Sequence, residues 1–275
     1  MKVWLNGRLV DEADAAISPQ DRGLLLGDGV FETLRTYDRR LVTLDEHLER
    51  LASGARVLGI EVDCDLLGSG ARELVASAEG DDLRVRITVT SGPGPAGLRR
   101  GPGSGTRLIT ATPLSPWPET ATAVVAPWAH DEHSPLAGVK TTSRADTVLA
   151  MVHARENGAD EALFFNQAGH LCEATTANVF AVRDGTVTTP PLSAGCLPGI
   201  TREQVLRLCN EHRIEALEAE LSRAEVDLAD EMFLTSSTRE IQPLVAIDGR
   251  EIGNGRAGPV TARLKEALSK RMRAL

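Results

Sequence analysis

Lysine is scarce in this 275-residue chain. Only Lys2, Lys140, Lys265 and Lys270 occur, although lysine and arginine together number 30. Aromatic side chains are scarce too, at 3% with a single tyrosine, which argues against a pocket walled by several tyrosines. A net charge of -9 and the lack of a dense basic cluster argue against a nucleic-acid-binding surface. No apolar run approaches the length of a membrane span, and the opening Met1–Gly7 stretch has no signal-peptide core, so no membrane association is expected and the expected location is cytoplasmic. The four cysteines, Cys64, Cys172, Cys196 and Cys209, form no CxxC pair and have no histidine at metal-ligand spacing. Idle thiols in a reducing compartment are expected, and no metal.

What is present divides the chain. The length suits two domains. The expected division is an N-terminal α+β domain over 1–112, a linker over 113–118, and a C-terminal domain over 119–275. Val3–Val10 reads as a hairpin about Asn6-Gly7. From Val30 to Tyr37 the pattern alternates, with Val30, Glu32, Leu34 and Thr36 on one face and Phe31, Thr33, Arg35 and Tyr37 on the other. Thr43 is an N-cap candidate for a helix whose Leu44, Leu48, Leu51, Ala55 and Leu58 recur on one stripe; His47 and Arg50 share a neighbouring stripe and can point together. A strand over Arg84–Thr90 leads to a Gly- and Pro-rich stretch, Ser91 to Gly105, expected to be a mobile loop. In the second half, a helix over Ala145–Glu156 is expected to turn Val148, Leu149 and Val152 inward, and a last helix to do the same with Val260, Leu264 and Leu268.

Several residues stand out chemically. Lys140 follows the run Pro135–Val139, and a lysine in an apolar setting loses stability as an ammonium, the condition for Schiff-base chemistry. Glu173 sits among apolar and small residues, where an ionised carboxylate needs a partner. Leu197-Pro-Gly-Ile-Thr201 runs into a helix whose N-terminus can take a phosphate, and Thr235–Thr238 is a run of four hydroxyls. Taken singly, each has a plainer reading: a solvated lysine or arginine, an edge carboxylate, a capped turn, a polar turn.

Together the segments resemble the class IV (fold-type IV) pyridoxal-phosphate (PLP)-dependent aminotransferase family, which includes D-amino-acid and branched-chain aminotransferases and aminodeoxychorismate lyases. The segments are Arg22-Gly-Leu-Leu-Leu-Gly-Asp-Gly-Val-Phe-Glu-Thr-Leu-Arg35, Leu44-Asp-Glu-His-Leu-Glu-Arg50-Leu, Gly138-Val-Lys140, Glu173-Ala-Thr-Thr-Ala-Asn178-Val-Phe, Leu197-Pro-Gly-Ile-Thr201-Arg and Thr235-Ser-Ser-Thr238. They occur in family order and spacing across nearly the whole chain. The resemblance implies a two-domain α+β fold with PLP bound between the domains, and a homodimer with shared active sites. It implies that the C-terminal domain carries the lysine and most PLP contacts. By match of motif, Lys140 is the Schiff-base lysine and Glu173 faces the pyridine nitrogen. Arg50, Ile200, Thr201, Ser237 and Thr238 hold the phosphate, and Leu197 packs on the ring.

The resemblance implies an enzyme moving an amino group between an amino acid, D-amino acids included, and a 2-oxo acid. The alternative is a 4-amino-4-deoxychorismate lyase releasing pyruvate and 4-aminobenzoate. A branched-chain aminotransferase or a non-catalytic PLP-binding homologue ranks below both. The sequence departs from the marked subgroups: tyrosines are missing, Arg144 stands near where a tyrosine usually follows the lysine, and the loop after Arg86 carries Arg99 and Arg100 with no histidine. Phe31, Arg35, Arg86 and Arg144 are the expected substrate residues, with Arg35 or Arg86, or both, pairing with a substrate carboxylate.

Overall fold

In the computed structural model, which describes residues 1–101, 103 and 105–275, the chain forms two units. The first holds Met1–Ser115 together with Val139–Arg144, and the second holds Pro116–Gly138 and Ala145–Leu275.

The first unit runs β1 (Lys2–Leu5), β2 (Arg8–Asp11), α1 (Arg22–Leu26), β3 (Gly29–Tyr37), β4 (Arg40–Leu41), α2 (Leu44–Val57), α3 (Cys64–Ser77), β5 (Leu83–Thr90) and β6 (Arg107–Pro113). Its sheet has the order β2-β1-β6-β5-β3-β4 and is antiparallel throughout. The β1–β2 hairpin turns on Asn6 and Gly7, both at positive φ, as an Asn-Gly turn requires. On β3, Val30, Glu32, Leu34 and Thr36 are all buried, so the alternation read from the sequence selects the core face. Leu44, Leu48, Leu51 and Ala55 of α2 join that core, each large side chain contributing roughly 1.5–3 kcal/mol by burial. The expected cap at Thr43 does not form. Thr43 lies in the left-handed region at φ 59°, and its hydroxyl donates to the Val42 carbonyl instead. Asp63 caps α3, its carboxylate accepting the Leu66 N–H at 2.9 Å.

The second unit runs β7 (Ala121–Val125), α4 (Ala145–Glu156), β8 (Glu161–Phe165), β9 (Leu171–Ala174), β10 (Asn178–Arg183), β11 (Thr186–Thr189), α5 (Ile200–Glu211), β12 (Ala216–Glu218), α6 (Arg223–Asp227), β13 (Glu231–Ser236), β14 (Glu240–Ile247), β15 (Arg250–Glu251) and α7 (Pro259–Ala274). Its sheet has the order β12-β11-β10-β13-β14-β7-β8-β9, with β15 on β14. β7 pairs in parallel with both β14 and β8. Helix α7 buries Thr261, Leu264, Leu268 and Met272, whereas Val260 is only half-buried at the helix start.

Three expectations change. The segment 139–144 belongs with the first unit rather than with residues 119–275, because its backbone pairs with the start of β3 and Val139 packs on the first core. Helix α4 buries Thr147, Ala150 and Ala154 and leaves Val148, Leu149 and Val152 exposed at 60%, 59% and 44%. Small residues on the inner stripe let α4 lie close to its sheet, and the large ones face out. The stretch after β5 is held by side-chain bonds: Arg22 donates to the carbonyls of Gly97, Leu98 and Arg99 at 2.8–3.0 Å. Pro102 and Ser104, part of the expected mobile loop, lie outside the described residues.

Candidate functional site

Lys140 lies in a turn laid along the start of β3. The Phe31 N–H donates to the Lys140 carbonyl at 3.0 Å, and the Thr142 N–H to the Gly29 carbonyl at 2.9 Å. The Thr142 hydroxyl donates to the Gly27 carbonyl at 2.9 Å. Two glycines make the approach possible. A Cβ on Gly27 would stand 2.9 Å from Ser143 Cα, and one on Gly29 would stand 2.8 Å from the Val89 carbonyl oxygen. Gly27 also sits at φ +67°, where a side chain adds strain.

The Lys140 Nζ is 4.8 Å from the centroid of the Phe31 ring, and the Arg86 guanidinium stacks on the same ring at 3.8 Å. Three of the expected residues therefore share one face. Burial, and then the charges of Arg84 and Arg144, push the Arg86 pKa below the usual arginine value. A half-buried cation with two further cations acting on it gains most from an anion bound against it. Arg35 stands apart. It lies four residues beyond Phe31 on β3, about 13 Å along the strand. There it donates to Asp82 at 2.7 Å and stacks on Tyr37 at 4.2 Å.

Arg50 and His47, expected to point together, converge on Glu32. Arg50 donates through Nε and Nη2 to the two carboxylate oxygens, each at 2.7 Å, and His47 Nδ1 lies 2.7 Å from Oε2. Because the carboxylate only accepts, Nδ1 carries the proton of this bond. Burial would raise the Glu32 pKa, but the bonds and charges of Arg50 and His47 outweigh it and hold the group at about 2. Burial first, and then the charges of Arg50 and Lys140, lower His47 against the pull of Glu32. The triad fixes the plane of one guanidinium whose side chain keeps 14% exposure.

In the second unit, Glu173 is on β9, the last strand of its sheet. Its Oε2 accepts the Leu197 N–H at 2.8 Å, and Asn178 Nδ2 donates to the Leu197 carbonyl at 2.8 Å, so the backbone of Leu197 is gripped at both ends. Burial, and then the Glu173 charge, push the thiols of Cys172 and Cys196 up, the latter to about 12, so both stay protonated. Gly199 precedes α5, and a Cβ there would stand 1.9 Å from Asn178 Oδ1. No side chain caps α5, whose first residues are Ile200 and Thr201. Arg202 anchors that turn by donating to the Pro190 carbonyl at 2.8 Å and to Glu218 at 2.5 Å. Asn178 also pairs with Thr235 across β10 and β13, which links the Leu197–Thr201 segment to the strand that leads into Ser237 and Thr238.

Sequence reasoning missed several partners. Glu32 carried a visible signal, a carboxylate on an otherwise apolar strand face. The buried Glu161–Arg239 pair, tied to Thr175 and Thr176, carried none, because its members are 78 positions apart. Among the described residues no metal-binding cluster occurs, and no helix is long and apolar enough to cross a membrane.

Comparison with known proteins bears on this geometry. The family described as "Amino-transferase class IV" matches residues 29–247. The chain is 37% identical to a Methanocaldococcus jannaschii protein described as "Putative branched-chain-amino-acid aminotransferase", over 97% of this chain and 94% of that one. It is 35% identical to the D-alanine aminotransferase of Bacillus licheniformis, over 98% and 96%. Among solved structures, the branched-chain aminotransferase of Thermoproteus uzoniensis with norvaline aligns at a TM-score of 0.93 and 32% identity, covering 100% of this chain and 95% of that one. A second branched-chain aminotransferase, complexed with N-(5'-phosphopyridoxyl)-L-glutamate, aligns at 0.93 and 28%, covering 99% and 94%. A Legionella pneumophila protein described as "Putative 4-amino-4-deoxychorismate lyase" aligns at 0.88 and 27%, covering 94% and 97%. With an α+β fold of two sheets shared by these enzymes and a match from the first residue of β3 to the last of β14, the chain belongs to the class IV aminotransferase family and is an enzyme.

Proposed function

We propose that the chain is a PLP-dependent transaminase acting between an amino acid and a 2-oxo acid, with a dicarboxylic partner such as glutamate and 2-oxoglutarate on one side of the exchange. The residues present fit the cofactor. In the second unit the uncapped start of α5 and the hydroxyls of Thr201, Ser237 and Thr238 suit a phosphate, and in the first unit the Arg50 guanidinium is a phosphate-binding group by its motif. The buried Thr235 hydroxyl, the first of its run of four, has no hydrogen-bond partner among the described residues. Glu173, fixed by the Leu197 N–H, suits a protonated pyridine nitrogen, and Leu197 suits the ring face. Lys140 supplies the amine that holds the group covalently. Bound there, PLP supplies the electron sink that makes an amino-acid α-proton acidic.

The protein's own residues do the remainder. Lys140 Nζ carries the proton to and from the α-carbon, and Phe31 limits where the amine can stand. Glu173 would hold the cofactor's ring nitrogen in its protonated form. Arg86 binds a substrate carboxylate, with Arg144 adding charge. Arg35 is left out of this role because Asp82 and Tyr37 already engage it. The observation that carries the reading is the Arg86 guanidinium stacked on the same Phe31 ring that Lys140 Nζ approaches, with the charges of Arg84 and Arg144 acting on Arg86. The structural relative that holds a phosphopyridoxyl-glutamate supports the dicarboxylic side. Branched-chain and D-alanine relatives leave the other substrate to experiment, D-amino acids included.

The test is a half-reaction. PLP-loaded protein is mixed in turn with L-glutamate, L-leucine and D-alanine while the visible cofactor band is followed. Bleaching with L-glutamate, weakened in Arg86→Ala and unchanged in Arg35→Ala, supports the reading; bleaching that Arg86→Ala does not weaken defeats the assigned role. A second reading, the lyase, draws on the same charge cluster, since its substrate carries two carboxylates, and on the Legionella likeness. Pyruvate release from aminodeoxychorismate with the band unchanged would favour it.

A homodimer is part of this proposal. The outward Val148, Leu149 and Val152 of α4 give a second copy an apolar face to cover. Val148→Asp with Leu149→Asp should shift the sedimentation of the protein towards the monomer. The four free cysteines, three of them buried, suit the reducing cytoplasm.

A further inference from the structure

We propose that Asp28 is a positioning residue for amino-acid recognition, locking the excursion after β5, residues 91–101, to the turn that carries Lys140. The role depends on Lys140 being the reacting amine.

The excursion starts from a fixed base. The carboxylate of Asp21, 1% exposed, accepts the hydroxyls of Thr90 and Thr106 at 3.0 and 2.5 Å, which joins the two ends. Its middle has little holding power of its own. Glycine and proline dominate, and Leu98 at the tip is 84% exposed, so the core does not anchor it. Conformation there comes from an ionic clasp. Arg22 grips three successive carbonyls, Gly97 to Arg99, and donates through Nε to Asp28 at 3.1 Å. Asp28 also accepts the Ser91 hydroxyl at 2.6 Å and Arg100 through Nη2 and Nε at 2.5 and 3.0 Å. Burial works against this carboxylate, and the Arg100, Ser91 and Arg22 bonds overcome it, holding its pKa at about 2.

On its other side Asp28 is flanked by Gly27 and Gly29, the two residues whose carbonyls take the Thr142 bonds. Gly29 has no slack: a Cβ there would meet both Thr90 Cα and Thr142 Oγ1 at 3.1 Å. Loop base, strand start and lysine turn therefore move as one block, and Phe31, two residues further on, carries Arg86 and faces Lys140. Asp28 is the side chain that ties the excursion into that block. Without its charge, two guanidiniums lose their common acceptor and the excursion shifts against the face where the amino acid is recognised.

The test uses PLP-loaded Asp28→Asn and Arg100→Ala, with PLP affinity followed by visible absorbance and steady-state kinetics on several amino donors. Affinity for PLP should stay within about twofold and kcat within about threefold. KM for the preferred donor should rise about tenfold in Asp28→Asn and about threefold in Arg100→Ala, with altered ratios between donors. Unchanged KM and donor ratios would overturn the role, as would a loss explained wholly by a smaller folded fraction. Arg100 is 35% exposed, so its variant decides the matter if Asp28→Asn fails to fold. A wild-type protein that takes up no PLP would overturn the reading of Lys140, and this role with it.

Discussion

Each unit buries a glutamate–arginine pair, and the two are finished differently. In the first, Glu32 is fully buried, while Arg50 keeps 14% exposure and lies at the edge of its core. In the second, Glu161 and Arg239 are 2% and 0% exposed. Arg239 donates to Glu161, to the Thr176 hydroxyl at 2.6 Å and to Gln242 Oε1 at 3.1 Å, and Trp117 covers its face at 4.2 Å. Arg239 is enclosed by its own chain, with Nε buried and without a hydrogen-bond partner among the described residues. Arg50 is oriented by its own chain but still reaches solvent. The same ion pair can thus serve as a staple or as a mount for a ligand-binding group, and exposure of the arginine tells them apart.

The sharpest way to break this comparison is to cut the staple. Removing one member of a buried pair leaves the other charged and unpaired, a cost of about 3–5 kcal/mol. Arg239→Ala should lower the unfolding free energy by that amount, read from the urea transition, while PLP affinity of the remaining folded protein stays within about twofold. Arg50→Ala should act on both. Hydrogen bonds to a charged phosphate contribute about 1.5–3 kcal/mol each, so PLP affinity should fall roughly ten- to a hundredfold by absorbance titration, and stability should fall too, because the buried Glu32 loses its charged partner and is left to His47. Equal effects of the two substitutions on PLP affinity would erase the distinction.

Acid offers a gentler test of the Arg50 mount. His47 is held below its ordinary value of 6.5 by burial, so the unfolded chain takes up a proton first and stability falls as pH drops through that range. Glu32 titrates at about 2 when folded against 4.5 otherwise. Its contribution is present above 4.5 and is lost as pH falls towards about 2. His47→Asn should remove the upper step and Glu32→Gln the lower one, measured as urea midpoints across the acid range. A profile that is the same in all three proteins would mean the triad does not titrate as a unit.

How far the sequence carried depends on whether a partner is local. The face of β3 was readable because alternation is a property of neighbouring residues, and His47 with Arg50 because helical periodicity places them together. The family was readable because its motifs are local strings in order. The outward face of α4 was not, since Val148, Leu149 and Val152 look like a core stripe until the small residues Ala150 and Ala154 are seen against the sheet. The Asp28 clasp was hidden for another reason: its arginines, Arg22 and Arg100, lie far apart in the chain, and Arg100 sits inside a stretch whose composition signals only disorder. The attachment of Lys140 to the first unit is likewise a matter of backbone bonds to Gly29 and Phe31, which no side-chain pattern announces.

The smallest expected effect concerns the cover on the staple. Trp117 is 43% exposed, so its indole adds little by burial, and its stacking on Arg239 is what distinguishes it from an ordinary linker residue. A stack of that kind contributes about 0.5–1 kcal/mol at exposed sites and up to about 2 when desolvated. Trp117→Leu should therefore cost about 1 kcal/mol, a Tm change of roughly 2–4 °C, with no change in PLP affinity. A double-mutant cycle with Arg239→Met isolates the contact. A coupling near 1 kcal/mol makes Trp117 part of what encloses the arginine. A coupling of zero would leave the carboxylate, hydroxyl and amide bonds to close the staple alone, and the exposure difference between Arg50 and Arg239 would then rest on hydrogen bonding rather than on the ring.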